Sequence, residues 1–107
     1  MAEAGNQVVG HARYNSRAMR DDLPGHDLIA QGLEDLAAGV ETTEALLVSI
    51  GAPRLRELGI QVRDPIPGSE HLLYAFLSRT DPDSAHSRYN ALIRRLVSFE
   101  RALACAR

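Results

Sequence analysis

Few side chains in this 107-residue sequence offer reactive or ligand chemistry: four histidines, one cysteine, and cations that are all arginine. A metal site draws several ligands from one helix face or loop, for instance two histidines one turn apart. His11, His26, His71 and His86 stand singly, so no metal or other cofactor is expected, and each histidine reads as a surface or capping residue. Cys105 is the lone thiol; it can form no intrachain disulfide or multi-thiolate site, a pattern that favours a reducing compartment. Asp83, His86 and Asn90 fall near one another on the first turns of the last helix, beside Tyr89. Such a polar cluster more often fixes the start of a helix than forms a pocket.

Two arginine constellations point towards nucleic acid. From Thr43 to Val62 the sequence reads TEALLVSIGAPRLRELGIQV, an apolar helix, a turn at Gly51 and a short second helix. In a helix–turn–helix motif the second helix enters the major groove, where arginines read guanine edges or phosphates, and Arg54, Arg56 and Arg63 are the candidates for those roles. The second constellation is Arg79 and His86, six residues apart across the turn into the last helix. This spacing resembles the Arg-x(4–6)-His motif of HEPN ribonucleases, small helical domains that often dimerise. The resemblance covers eight residues and implies His86 as general base and Arg79 as the group that stabilises phosphate charge, without a metal. Asp81, Pro82 and Asp83 lie between them, and they are explained as well by a helix start, with Asp81 as N-cap and Asp83 complementing the dipole.

The elements that must carry these residues are helical. Ala85, Tyr89, Leu92, Leu96, Phe99, Leu103 and Ala106 follow one another in alternating steps of four and three, which places all seven on one stripe of a long amphipathic C-terminal helix. Pro82 fits its first helical position. Leu28, Ile29, Leu33, Leu36 and Ala37 give a helix over 27–38, capped by Asp27 and stopped at Gly39. Thr42 or Thr43 starts a short, apolar, central helix over 44–50 that ends at Gly51, and Pro53 and Gly59 delimit a brief helix over 54–58. Ile60-Gln61-Val62 alternates like a strand, and Asp64 to Gly68 is an extended loop. Ser69 is the expected cap of a helix whose apolar face is Leu72, Leu73, Phe76 and Leu77. No set of strands is present to build a sheet, so the fold class is all-α, a small four- to five-helix bundle.

The domain organisation follows from length and composition. Residues 1–25 read as a loosely ordered N-terminal segment with a conditional helix from Val8 to Arg20, and residues 26–107 as a single helical domain. His11 to Asn15 and His86 to Asn90 agree at four of five positions; the match does not extend, and it is taken as chance rather than a repeat. The longest wholly apolar run, Ala45 to Val48, is far too short to cross a bilayer. No signal peptide is legible, and a cytoplasmic protein of bacterial type is expected.

The net charge of −2 conceals a segregation. Asp21, Asp22, Asp27, Glu34, Asp35, Glu41 and Glu44 precede Pro53 with no arginine among them, whereas Ser84 to Arg107 carries five arginines against Glu100. Acidic and basic helices in one small protein pair within the chain or across a dimer more readily than they bind a polyanion. The leading functional reading is therefore a helical protein–protein interaction or regulatory module rather than an enzyme. Its expected partner is a second copy of the chain or another protein, met through Tyr89, Leu92, Leu96, Phe99 and Leu103, because their stripe is longer than the helices over 27–38 and 69–79 can cover.

Overall fold

A computed structural model describes residues 22–106. The conditional helix from Val8 to Arg20 and the first copy of the five-residue echo lie outside those residues. Every regular element among the described residues is a helix: α1 (His26–Ala37), α2 (Thr43–Glu57), α3 (Ser69–Thr80) and α4 (Ala85–Ala106). All four contribute to one apolar core.

The α1–α2 hairpin is fixed at both sides of its turn. After Ala38 the chain enters the left-handed region at Gly39 (φ +74°). There the Gly39 N–H bonds the Leu36 carbonyl and the Val40 N–H bonds the Asp35 carbonyl, a Schellman closure that glycine makes at little steric cost. Thr42 then caps α2, its Oγ1 accepting the Ala45 N–H at 3.1 Å and donating to Asp35 Oδ2 at 2.6 Å. The other Asp35 oxygen accepts from Gln31 Nε2 at 2.9 Å. Asp27 lies within the first turn of α1, where it complements the dipole, and the N-cap is Gly25 (φ +79°), which has no side chain to offer.

The largest departure from the sequence reading is α2. The expected turn at Gly51 does not form, and the two short helices are one helix of 15 residues with Pro53 inside it. Proline in a helix interior forfeits a hydrogen bond and costs about 3 kcal/mol. The offset is burial, since Leu55 and Leu58 beyond the proline are both in the core with Leu46, Leu47, Val48 and Ala52 before it. Gly51 is a point of contact rather than a stop: a Cβ there would stand 2.8 Å from Leu96 Cδ1 and 3.1 Å from Glu100 Oε2. A closer approach occurs at Gly32 of α1, where a Cβ would lie 2.4 Å from both the Glu44 carbonyl oxygen and Val48 Cγ2.

Beyond α2, a second Schellman closure at Leu58-Gly59-Ile60 turns the chain. Ile60 and Val62 are buried and Gln61 is exposed, so the strand-like alternation is real, but no partner strand accompanies it among the described residues. Arg56 and Ser49 hold this connection down. The guanidinium donates to the Val62 carbonyl through Nη2 at 2.6 Å and Nε at 3.2 Å. The buried Ser49 hydroxyl donates to the Ala45 carbonyl and accepts the Ile66 N–H at 3.0 Å. Ser69, expected as a cap, is the first helical residue of α3 and is buried; Gly68 (φ +67°) stands at the cap. Asp81, expected as the N-cap of the last helix, is instead the C-cap of α3, its N–H bonding the Leu77 carbonyl. Its carboxylate accepts from Ser84 Oγ at 2.8 Å, and α4 starts only at Ala85.

Along α4 the predicted stripe is present as far as Leu103. Ala85, Leu96, Phe99 and Leu103 are fully buried and Tyr89 and Leu92 half-buried, whereas Ala106 is exposed. The assignment of Leu96, Phe99 and Leu103 to an intermolecular interface is thereby corrected, because at 3% exposure or less they belong to the chain's own core. The physical reason is the length of α2, which covers the stripe together with α3.

Two stability predictions follow from these contacts. Gly32→Ala meets backbone that cannot yield and should cost about 2 kcal/mol or more, a fall of about 10 °C in Tm, despite a better helix propensity. Gly51→Ala meets the ends of flexible side chains, so its propensity gain of about 1 kcal/mol should leave Tm nearly unchanged; equal losses in calorimetry would contradict this account. Glu100 supplies the pH test. Desolvation beside α2 raises its carboxyl above the usual value, against an opposing pull from Arg54. Ionised Glu100 therefore costs stability, absent below the ordinary carboxylate pKa and complete above the raised folded value. Denaturant midpoints should show Glu100→Gln gaining on the wild type as pH rises from acid to neutral, with no gain in acid.

Candidate functional site

The residues nominated from sequence separate in the structure. Arg54 pairs with Glu57 one turn on at 3.1 Å, Arg56 is engaged with the Val62 carbonyl, and Arg63 is exposed on the connection after α2. The geometry expected of a helix–turn–helix unit is absent here, since both of its helices are parts of α2. Arg79 lies with its guanidinium carbon 5.6 Å from the centre of the Phe76 ring. His86 bonds through Nε2 to Asn90 Nδ2 at 3.1 Å, as the expected local cluster requires. No hydrogen bond joins Arg79 to His86 among the described residues, and each is exposed and engaged locally. No group of three histidine, cysteine, aspartate or glutamate side chains among the described residues is placed to hold a metal ion. None of the described helices is long and apolar enough to cross a membrane.

What the structure does assemble is a groove beside α3 lined by both apolar and polar side chains. The helix carries two adjacent rows of large apolar residues at four-residue spacing. Leu73 and Leu77 are fully buried, while Leu72 and Phe76 are each 38% exposed. The second row forms one wall of a groove of about 330 Å³ that also includes Leu46, Ala75, Arg79 and, from the α1–α2 turn, Glu41 and Thr42. Glu41 is shared with a neighbouring depression of about 430 Å³ containing Leu36, Val40 and Ile66, where Val40 is 49% exposed. The turn that presents Glu41 is therefore the one held by the Gly39 closure and the Asp35–Thr42 bond.

The groove has a mixed electrostatic character. Glu41 and Arg79 both line it, and no ion pair connects them within the chain. Arg79 also covers one face of Phe76, a cation–π contact that holds the guanidinium at the groove wall. Tyr74 lies on another side of α3, with its ring 5.8 Å from that of Tyr89 at 58°. The Tyr89 hydroxyl is raised above its ordinary pKa, first by burial and then by the charge of Glu70. Tyr89 thus joins α4 to α3 within the chain.

Sequence reasoning missed this groove because Leu72, Leu73, Phe76 and Leu77 read as one core-facing stripe. A signal was available: two full rows of large residues make a stripe wider than one facing helix covers. No protein-family model, no curated protein and no solved structure matches the chain.

Proposed function

We propose that the protein is a small cytoplasmic interaction module that pairs with a second copy of itself through the groove beside α3. The observation that carries this reading is the exposed apolar row of Leu72 and Phe76, flanked in the same groove by Glu41 and Arg79. A two-fold contact presents the same patch on both subunits, so residue i meets residue j and residue j meets residue i. A patch whose carboxylate and guanidinium form no ion pair among the described residues is complementary to its own copy, because each Arg79 has a Glu41 to meet. Burial of Leu72 and Phe76 supplies the driving force, and the charge pair sets the register. A cytoplasmic setting accords with a lone exposed cysteine, Cys105.

Light scattering across micromolar concentrations tests the pairing. The wild-type chain should be a dimer, and Phe76→Glu should give a monomer with unchanged helical circular dichroism. Arg79→Glu alone should weaken the dimer by about tenfold, and Glu41→Arg in the same chain should restore much of the loss by recreating a complementary pair. A wild-type monomer, or a Phe76→Glu dimer of wild-type affinity, would overturn the proposal.

A further inference from the structure

We infer that the outward face of α4 binds duplex DNA through the phosphates on either side of a groove. Arg88, Arg94, Arg95 and Arg101 are all exposed. In a helix, Arg88 and Arg95 stand two turns apart on one row, Arg94 and Arg101 two turns apart on another, and Ala91 and Ser98 fall between the rows. Each pair is separated by about 10 Å along the axis, and the whole array extends about 20 Å.

The composition of this face separates it from an ordinary solvated surface. Exposed helices usually interleave charges of both signs at four-residue spacing. The exposed residues of α4 include no acid, because Glu100, the helix's one carboxylate, is half-buried against Gly51 and α2. The acids of α1 do not neutralise the array either: among the described residues none of these four guanidiniums takes part in an ion pair. The expectation that the acidic and basic helices pair within the chain is not met at these residues. A chain of net charge −2 thus presents a single-sign patch, which concentrates polyanions locally whatever the total charge.

The same residues favour nucleic acid over an acidic protein. Protein interfaces are anchored by aromatic or large aliphatic side chains set in pockets. Between these arginine rows stand only Ala91 and Ser98, beside a shallow depression completed by Pro24 and Gly25. Nucleic-acid interfaces are more polar and far more positive, and arginine's planar fork suits phosphate. A helix about 10–12 Å across matches a major groove about 12 Å wide, and small residues at its crest leave the flanking rows free to reach opposite strands. The contacts are to phosphates, so binding is largely independent of sequence.

The test is a fluorescence-anisotropy titration of the full chain against two unrelated duplexes of DNA, repeated over a series of salt concentrations. Four phosphate contacts give a slope of log affinity on log salt of about −3.5, and removing two arginines reduces its magnitude by about 2. Arg94→Ala with Arg101→Ala should show that reduced slope and lose at least about tenfold in affinity at low salt on both duplexes. Lysine at both positions should keep the slope, and Arg54→Ala, on α2, should bind like the wild type. Absence of binding at low salt, or a wild-type slope in the double alanine variant, would overturn the inference. So would displacement of the duplex by polyglutamate at equal charge concentration, which would mark the face as a receptor for acidic protein. The groove beside α3 shares none of these residues, so its proposal stands or falls separately.

Discussion

The backbone of α1 lies against the backbone of α2 at Gly32, and the arrangement of the other helices depends on that contact. With no side chain at this position, the Glu44 carbonyl and Val48 can occupy the space a Cβ would take. The close crossing draws Ile29 and Leu33 onto α2. It leaves the remaining sides of α2 to α3 and α4, both of which touch it. A helix covered in this way must be apolar around most of its circumference, which explains why α2 has so weak an amphipathic pattern yet buries Ala45 to Ser49 without interruption. It also explains why Pro53 is tolerated. Breaking the helix there would withdraw Leu55 and Leu58 from the core, and burying two leucines is worth about 3–6 kcal/mol, against about 3 kcal/mol for an interior proline.

The polar side chains near the core serve this arrangement rather than chemistry. A connection that buries Ile60 and Val62 brings backbone carbonyls and N–H groups away from water, where each needs a partner. Arg56 and Ser49 supply two of them. The charge of Arg56 strengthens its bond to the Val62 carbonyl relative to a neutral donor, so its guanidinium is a poor candidate for a free DNA contact. Asp35 and Thr42 play the corresponding part in the α1–α2 turn. Since that turn presents Val40 and Glu41, its hydrogen bonds set the shape of the groove beside α3 as well as the angle of the hairpin.

How far the sequence could be read depended on the range of the interactions. Gly39 and Gly59 close turns locally, so residue type was sufficient to place them, and it narrowed the cap of α2 to Thr42 or Thr43, of which Thr42 takes the role. The α4 stripe was legible because its period persists over many turns. Gly51 and Pro53 misled, since both ordinarily end helices and only the tertiary cover of α2 makes them interior. Ser69 and Asp81 misled for a milder reason: neighbouring glycine at 68 and the hydroxyl of Ser84 satisfied the local geometry instead. The error at Leu96, Phe99 and Leu103 was inherited, because splitting α2 removed the element that covers them. The groove was illegible because periodicity identifies apolar rows but not which row faces inward.

These two surfaces differ in what each can meet. A groove with both signs of charge is complementary to itself, whereas a face lined with four arginines repels its own copy, so α4 is a poor place for a symmetric contact. Association through α3 and the α1–α2 turn buries apolar surface that water disfavours and leaves the α4 arginines exposed. Charge segregation along the sequence is thus not resolved by folding the acidic helices onto the basic one. Instead the acids remain largely with α1 and the start of α2 and the arginines stay on the exposed side of α4, although the N-cap of α1, Gly25, lies against the Arg95 backbone. A four-helix frame tolerates this segregation because its cohesion comes from packing about α2, which asks nothing of the surface charges.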